Sequence, residues 1–341
     1  MRFRYSVALP KEIAKLSLGR AILLFGSCFA EELYQQLRRE LCPVAFSPFG
    51  ISYNPLTIAD SLERLLIKEA AVTEADLFYH LGEWHSLSHH SSFSHADKSK
   101  ALQDMQESFI ETQALLHTAQ ALCITWGTAY VYELKQPPQS VVNNCHKLPQ
   151  NEYFQRRLLT PAEIAQRWIA LIQNIQQRYP TLRLIFTISP IPHYRDGAQQ
   201  NSISKSTLHL ALHQLQSNVK EVEYFPAYEI MREELRDYRF YRPDFAHPTD
   251  EAVQYIIEQF KSCYLAIEEA PWLQAWQKVH THFLHHPLSS NTETLRQHYS
   301  SVLSELQTFA LEHSTHPYLQ ECLARTAEKL KEIEQRSTLN I

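Results

Sequence analysis

The segment Ala21-Ile-Leu-Leu-Phe-Gly-Ser-Cys-Phe-Ala30 places a hydroxyl and a thiol side by side after a glycine. Either Ser27 or Cys28 is a nucleophile by type. A turn after a strand would hold it rigidly, and a following helix would offer free N–H groups and a partial positive charge to a thiolate or an oxyanion. Gly26 would let the backbone turn tightly and a substrate approach closely. The plainer alternative makes Ser27 a helix cap and Cys28 a small packing residue. A second group, Asp244 and His247 in Arg242-Pro-Asp-Phe-Ala-His-Pro-Thr249, has a spacing of three. On one side of a turn, Asp244 would accept from one ring nitrogen of His247 and leave the other free to take a proton from the nucleophile. Alone, a DxxH in a chain with 18 histidines is a weak signal.

These groups need a scaffold. Ala21–Phe25, Ala121–Thr125, Leu182–Ser189 and the shorter Val222–Tyr224 read as buried strands. Helical periodicity runs over Glu31–Leu41, Pro161–Tyr179 and Asp250–Phe260. Strands alternating with helices predict a parallel, doubly wound α/β sheet, which binds ligands beyond the carboxyl ends of its strands. From Pro271 only helical patterns follow, roughly Trp272–Leu284, Glu293–Glu312 and Tyr318–Gln335. The expected division is therefore 1–265 for the sheet domain and 266–341 for a helical extension, packed on it or mediating homo-oligomers, with RSTLNI frayed at the end.

Composition narrows the function. The 341 residues are 44% hydrophobic and 20% charged, with a net charge of −5, so a substantial core is expected and a nucleic-acid partner is not. No apolar run reaches the roughly 18 residues of a membrane span, and MRFRYSVALP lacks a secretory apolar core, so a cytoplasmic location is expected. The six cysteines form no CxxC pair, which argues against a disulfide framework or a zinc ribbon.

Five histidines (80, 85, 89, 90, 95) crowd one segment. Its glycine and serines favour a loop over a metal-binding helix. The expectation is no metal or cofactor, and an active-site loop in which His90 and Ser91 shape the pocket. In Asn144-Cys-His-Lys147, adjacent side chains on an extended chain diverge, so Cys145 and His146 would contribute separately to a pocket wall. Ser189-Pro-Ile-Pro-His193 sits at the ligand edge with a His193–Asp196 pair expected there. Lys205 would neutralise an anion or be solvated. Tyr238, Phe240 and Tyr241 would stack on a sugar or join the core.

Together, Gly26-Ser-Cys-Phe-Ala30, Ser47-Pro-Phe-Gly-Ile-Ser-Tyr-Asn-Pro55, His89-His-Ser-Ser-Phe-Ser94, Thr125-Trp-Gly-Thr-Ala-Tyr-Val-Tyr132, Asn144-Cys-His-Lys147, Ser189-Pro-Ile-Pro-His193 with Asp196-Gly197, Ser204-Lys205 and Asp244-Phe-Ala-His247 resemble the GSCFA family. That family resembles a branch of the SGNH (GDSL-type) hydrolases. The resemblance implies a three-layer α/β/α sandwich with a flavodoxin-like parallel sheet, and an ester substrate, small or carbohydrate, cut by a Cys/Ser-His-Asp triad. Acyl transfer with the same triad, or a binding protein on a degenerate scaffold, are the alternatives. Aligned on the glycine, Cys28 takes the nucleophile position, with a thiol pKa expected to be lowered; shifted by one, Ser27 takes it. Asp244 and His247 match the last block without a gap. For the oxyanion, Gly50 or Asn54 stands for the second block and Gly127 for the third. Ala129 replaces the third block's asparagine, so Thr128 or Asn144 would donate instead.

Overall fold

The computed structural model describes residues 5–11, 13–67, 72–137, 139–313 and 316–339. They form two units. One comprises residues 1–16, 20–34 and 44–265; the other adds 17–19 and 35–43 to the C-terminal residues 266–341.

The chain begins with β1 (Ile22–Gly26), α1 (Cys28–Arg39), β2 (Val44–Phe46) and α2 (Pro55–Leu65), followed by the hairpin β3 (Phe78–His80) and β4 (Glu83–His85). Next come α3 (Lys98–Leu116), β5 (Ala121–Trp126), β6 (Tyr130–Leu134), β7 (Val141–Val142), the one-turn α4 (Gln150–Tyr153), β8 (Phe154–Leu158) and α5 (Pro161–Arg178). The chain continues through β9 (Arg183–Ile188), α6 (Gly197–Asn218), β10 (Val222–Phe225), the short α7 (Ala227–Glu229) and α8 (Asp250–Tyr264). The second unit carries α9 (Trp272–Leu284), α10 (Thr292–His313) and α11 (Pro317–Leu339). Of the RSTLNI end, residues 340 and 341 lie outside the described residues.

The central sheet runs β10-β9-β5-β1-β2, all parallel. Numbered within the sheet and read from the other edge, this is 2-1-3-4-5, the flavodoxin-like order, whose direction reverses between β1 and β5. Right-handed crossovers then place α1 on one face and α2, α3, α5 and α6 on the other. The side chains agree. Leu23, Phe25, Leu122, Ile124, Leu184 and Phe186 share one core with Ile58, Phe109, Trp168 and Leu212. The alternating Ile22, Leu24, Cys123 and Ile185 are buried on the opposite face, where Phe225 of β10 meets Phe260 of α8 edge-on at 5.2 Å. The result is the three-layer α/β/α architecture.

Helix ends follow local chemistry. Thr160 and Glu163 form a capping box ahead of α5, with Pro161 at its first position. Asn54 caps α2, again with a proline first. The short antiparallel sheet β7-β6-β8 is inserted after β5, and the β3–β4 hairpin between α2 and α3. The three-residue β3 and β4 and the two-residue β7 are too short to show a periodicity in the sequence.

Candidate active site

The β1-to-α1 turn is dictated by Gly26. Its φ is +134°, and a Cβ there would lie 2.2 Å from the Thr125 carbonyl oxygen. The Ser27 carbonyl accepts from the Ala30 and Glu31 N–H groups at 2.8 and 3.2 Å, which starts α1 at Cys28. Ser27 is 1% exposed, and its hydroxyl has no partner among the described residues. All six cysteines are free thiols, and Cys28 alone is not buried. Its sulfur lies 3.3 Å from the Tyr53 hydroxyl. The expected low thiol pKa is corrected here. Burial pushes it up, the tyrosine hydrogen bond offsets part of the rise, and Glu31 adds to it.

His247 sits in a tight turn instead of a helical one. Asp244 Oδ1 accepts from the Ala246 and His247 N–H groups, each at 2.9 Å, and Oδ2 lies 2.6 Å from His247 Nδ1. The two backbone donors, then the ring, hold the Asp244 carboxyl far below the usual range. Asp244 thus engages Nδ1, which leaves Nε2 as the ring nitrogen without a partner in this turn. Both side chains are about half exposed, at 50% and 49%.

Ser27, Cys28 and His247 line one cavity of about 390 Å³, together with Tyr53, Asn54, Thr128, Asn143 and His193. It lies above the carboxyl ends of β1, β5 and β9, at the reversal of strand order. Tyr53 binds its two sides together: its carbonyl accepts from Gly127 and Thr128 N–H groups at 2.8 Å each. Those two amides are therefore unavailable to an oxyanion. The Thr128 hydroxyl lies 3.0 Å from the Ser204 hydroxyl and accepts from Tyr130 N–H at 3.2 Å. Asn54 Oδ1 accepts from Leu56 and Thr57 N–H groups as the α2 cap, so its Nδ2 is the group it can offer the cavity.

Five expected site residues are placed elsewhere. Asn144 does not line the cavity, because its Oδ1 accepts from His146 N–H at 2.9 Å to close a turn. Its neighbour Asn143 faces the cavity instead, held by an Nδ2 bond to the Ile51 carbonyl. His146 is buried against the histidine-rich loop, with Nε2 2.8 Å from the Ser86 carbonyl, and burial holds its pKa down at about 4. Gly50, with φ +75°, has His90 against it: a Cβ would lie 2.7 Å from His90 Cβ. His90 in turn accepts from Ser92 N–H and starts a 3₁₀ turn, so neither it nor Ser91 shapes the pocket. The loop's contribution is indirect, since the Leu87 carbonyl accepts from Asn143 N–H at 2.8 Å. No group of three or more His, Cys, Asp or Glu arranged for a metal exists among the described residues.

Further expectations are corrected. Asp196 pairs with Arg156 at 2.5 Å, not with His193. Lys205 is neither solvated nor in the cavity. It is buried, and its Nζ donates to the Gly127 and Ser189 carbonyls at 2.7 and 2.8 Å, tying the segments after β5 and β9. Burial pushes its pKa down to about 7. Tyr238, Phe240 and Tyr241 lie outside the cavity wall, and Tyr238 is exposed. Sequence reasoning missed Tyr53, Asn143, Arg156 and Arg195. Their residue types carry no spacing pattern, and only the loop paths bring them to the cavity.

No helix among the described residues is long and apolar enough to cross a membrane. None of the curated proteins matches the chain. Among solved structures, it is similar to an acetyl xylan esterase from the rumen bacterium Butyrivibrio proteoclasticus, at 8% identity and a TM-score of 0.36, covering 75% of this chain and 65% of the other. It is also similar to a family two carbohydrate esterase from Clostridium thermocellum, solved with cellohexaose, at 12% identity and a TM-score of 0.33, covering 78% and 67%. The chain thus spans 65% of the first of these proteins. The GSCFA family model matches residues 21–260, the whole span from the strand before Gly26 into the helix after His247, and the chain belongs to the GSCFA family.

Proposed function

We propose that this protein hydrolyses an ester through a covalent thioester on Cys28. The observation that carries the reading is one cavity that presents both the least buried thiol and a histidine oriented by Asp244. The Cys28 sulfur attacks the acyl carbon while His247 Nε2 takes the thiol proton. Asp244 stabilises the resulting imidazolium. A thiol with a raised pKa needs that base, because little thiolate exists before substrate arrives. The developing oxyanion receives hydrogen bonds from the N–H at the start of α1, from the Tyr53 hydroxyl and from Asn54 Nδ2. Tyr53 suits this role because burial, first, and its Cys28 contact raise its pKa, so it stays a donor. Collapse expels the alcohol, which takes the proton from His247. Water then attacks the thioester carbon as His247 removes its proton, the C–S bond breaks with His247 returning that proton to the Cys28 sulfur, and the carboxylic acid leaves.

An acyl-transfer enzyme would share every step up to the thioester and differ in taking a second alcohol instead of water. A cavity of about 390 Å³ has room for one beside a short acyl group. Hydrolysis of p-nitrophenyl acetate, with and without added alcohols, tests both. Cys28→Ala and His247→Ala are each expected to lower kcat/KM by about 10³-fold with an unchanged circular dichroism spectrum, and Ser27→Ala by less than about threefold. Full activity in Cys28→Ala with loss in Ser27→Ala would transfer the role to the serine. No turnover of any ester by the wild type would leave a binding protein.

A further inference from the structure

The chain carries a net charge of −5, yet the cavity that holds Cys28 is lined at its far end by two arginines. Its charged lining is Arg156 and Arg195, and no Asp or Glu lines it among the described residues. Arg156, on β8, lies over the Tyr130 ring at 4.0 Å. Two of its nitrogens bond Asp196 at 2.7 and 2.5 Å, and its buried Nε has no acceptor among the described residues. Arg195 has neutral partners: the Tyr132 hydroxyl, and Gln150 Oε1 at 2.6 Å. It has no carboxylate partner among the described residues.

At this end of the cavity two arginines face one paired carboxylate, Asp196, which leaves Arg195 without an anion among the described residues. Arg156 is largely withdrawn from solvent, where its attraction for an anion is strengthened, while Arg195 is exposed and keeps its charge open to a ligand entering the cavity. Guanidinium forks match the geometry of carboxylates and phosphates. The Tyr130 and Tyr132 rings, one beneath each arginine, fix where those forks sit.

We infer that this end of the cavity binds an anionic group of the ligand, a carboxylate or a phosphate, at Arg156 and Arg195. The inference rests on the reading of the same cavity as an esterase site, and it makes the substrate an ester with an acid group away from the bond that is cut. Cys28 serves as the reporter.

The experiment measures protection of Cys28 from iodoacetamide in the intact protein, which needs no turnover. The probes are glucuronate, glucose 6-phosphate and glucose, each at about 10 mM. Either acid is expected to slow labelling by about threefold or more, and glucose not at all. Protection by glucuronate alone assigns a carboxylate; protection by glucose 6-phosphate alone assigns a phosphate. Arg195→Gln should abolish the protection and Arg195→Lys restore part of it. As a second measurement, iodoacetate should gain on iodoacetamide at Cys28 by about threefold relative to free cysteine, and lose the gain in high salt. Equal protection by glucose, no protection by either acid, or protection surviving Arg195→Gln would overturn the inference. Protection by an acid with no hydrolysis of any ester defeats the esterase reading and leaves the anion site standing. Hydrolysis without protection does the reverse.

Discussion

The Cys28 sulfur and the Tyr53 hydroxyl are 3.3 Å apart, across the reversal of strand order in the sheet. The tyrosine ring also meets His193 edge-on at 5.3 Å, and its carbonyl ties down Gly127 and Thr128. The side chain can therefore be trimmed without releasing the backbone. Tyr53→Phe removes a bond that lowers the thiol pKa, so alkylation of Cys28 at pH 8 should slow and its midpoint should rise. Loss of an oxyanion donor should lower kcat by about 10²-fold with little change in KM. Unchanged alkylation and unchanged kcat together would show that the contact is incidental.

Asp244 and His247 are half exposed, so their pair contributes little to stability and much to orientation. Asp244→Asn is expected to lower kcat by about 10²-fold, because the imidazole loses its fixed tautomer, while Tm moves by less than about 2 °C. Calorimetry beside steady-state kinetics checks the split. A large fall in Tm with kcat preserved would make the pair structural.

Glycine content separates two kinds of turn. At Gly26 a Cβ would meet the Thr125 carbonyl oxygen at 2.2 Å as well as demand a left-handed φ. At Gly82, φ is +89° but nothing lies within 4 Å. Gly82→Ala should cost about 1 kcal/mol of strain, whereas Gly26→Ala should cost about 3 kcal/mol or more and shift β1 against β5. Urea denaturation of the two variants distinguishes them, and equal losses would contradict the packing described at Gly26.

Three histidines make the first unit sensitive to acid. Burial, first in each case, pushes His89 down to about 3 and His146 and His193 to about 4. An unfolded histidine titrates near 6.5. Between about pH 6.5 and 4 the unfolded chain thus binds protons at these histidines that the fold does not, so their contribution to stability falls as pH drops through that window and is constant above it. The loss should be on the order of a few kcal/mol by pH 4.5. His89, packed against Phe49 with ring centroids 4.7 Å apart, offers the cleanest variant. His89→Phe should remove about a third of the dependence of the urea midpoint on pH between 6.5 and 4.5. An unaltered slope would contradict the assignment.

The sheet was readable because β1, β5 and β9 are continuous apolar runs buried on both faces, the pattern a central parallel strand requires. The edge strand β2, three half-buried residues long, shows no such run. The turn between β1 and α1 and the Asp244–His247 pair were readable because each is a short local pattern. Asn143 was missed by one residue. In a chain leaving a strand as short as Val141–Val142, a slip of one position exchanges the cavity face for the turn, and Asn144 is spent on His146. Lys205 was misread because nothing in Ser204-Lys205 reveals that two backbone carbonyls from distant strand ends converge on it. The thiol pKa was misjudged because a helix N-terminus is visible in sequence, whereas desolvation is a property of the assembled wall.

The central claim is that Cys28 forms the acyl-enzyme. Intact-protein mass spectrometry of the His247→Ala variant and the wild type, quenched during reaction with p-nitrophenyl acetate, tests it most directly. The account predicts a single acetyl adduct in the wild type, mapped to Cys28, released by neutral hydroxylamine as thioesters are, and strongly diminished in His247→Ala. An adduct on Ser27, or an adduct that survives hydroxylamine and is indifferent to His247, would contradict it.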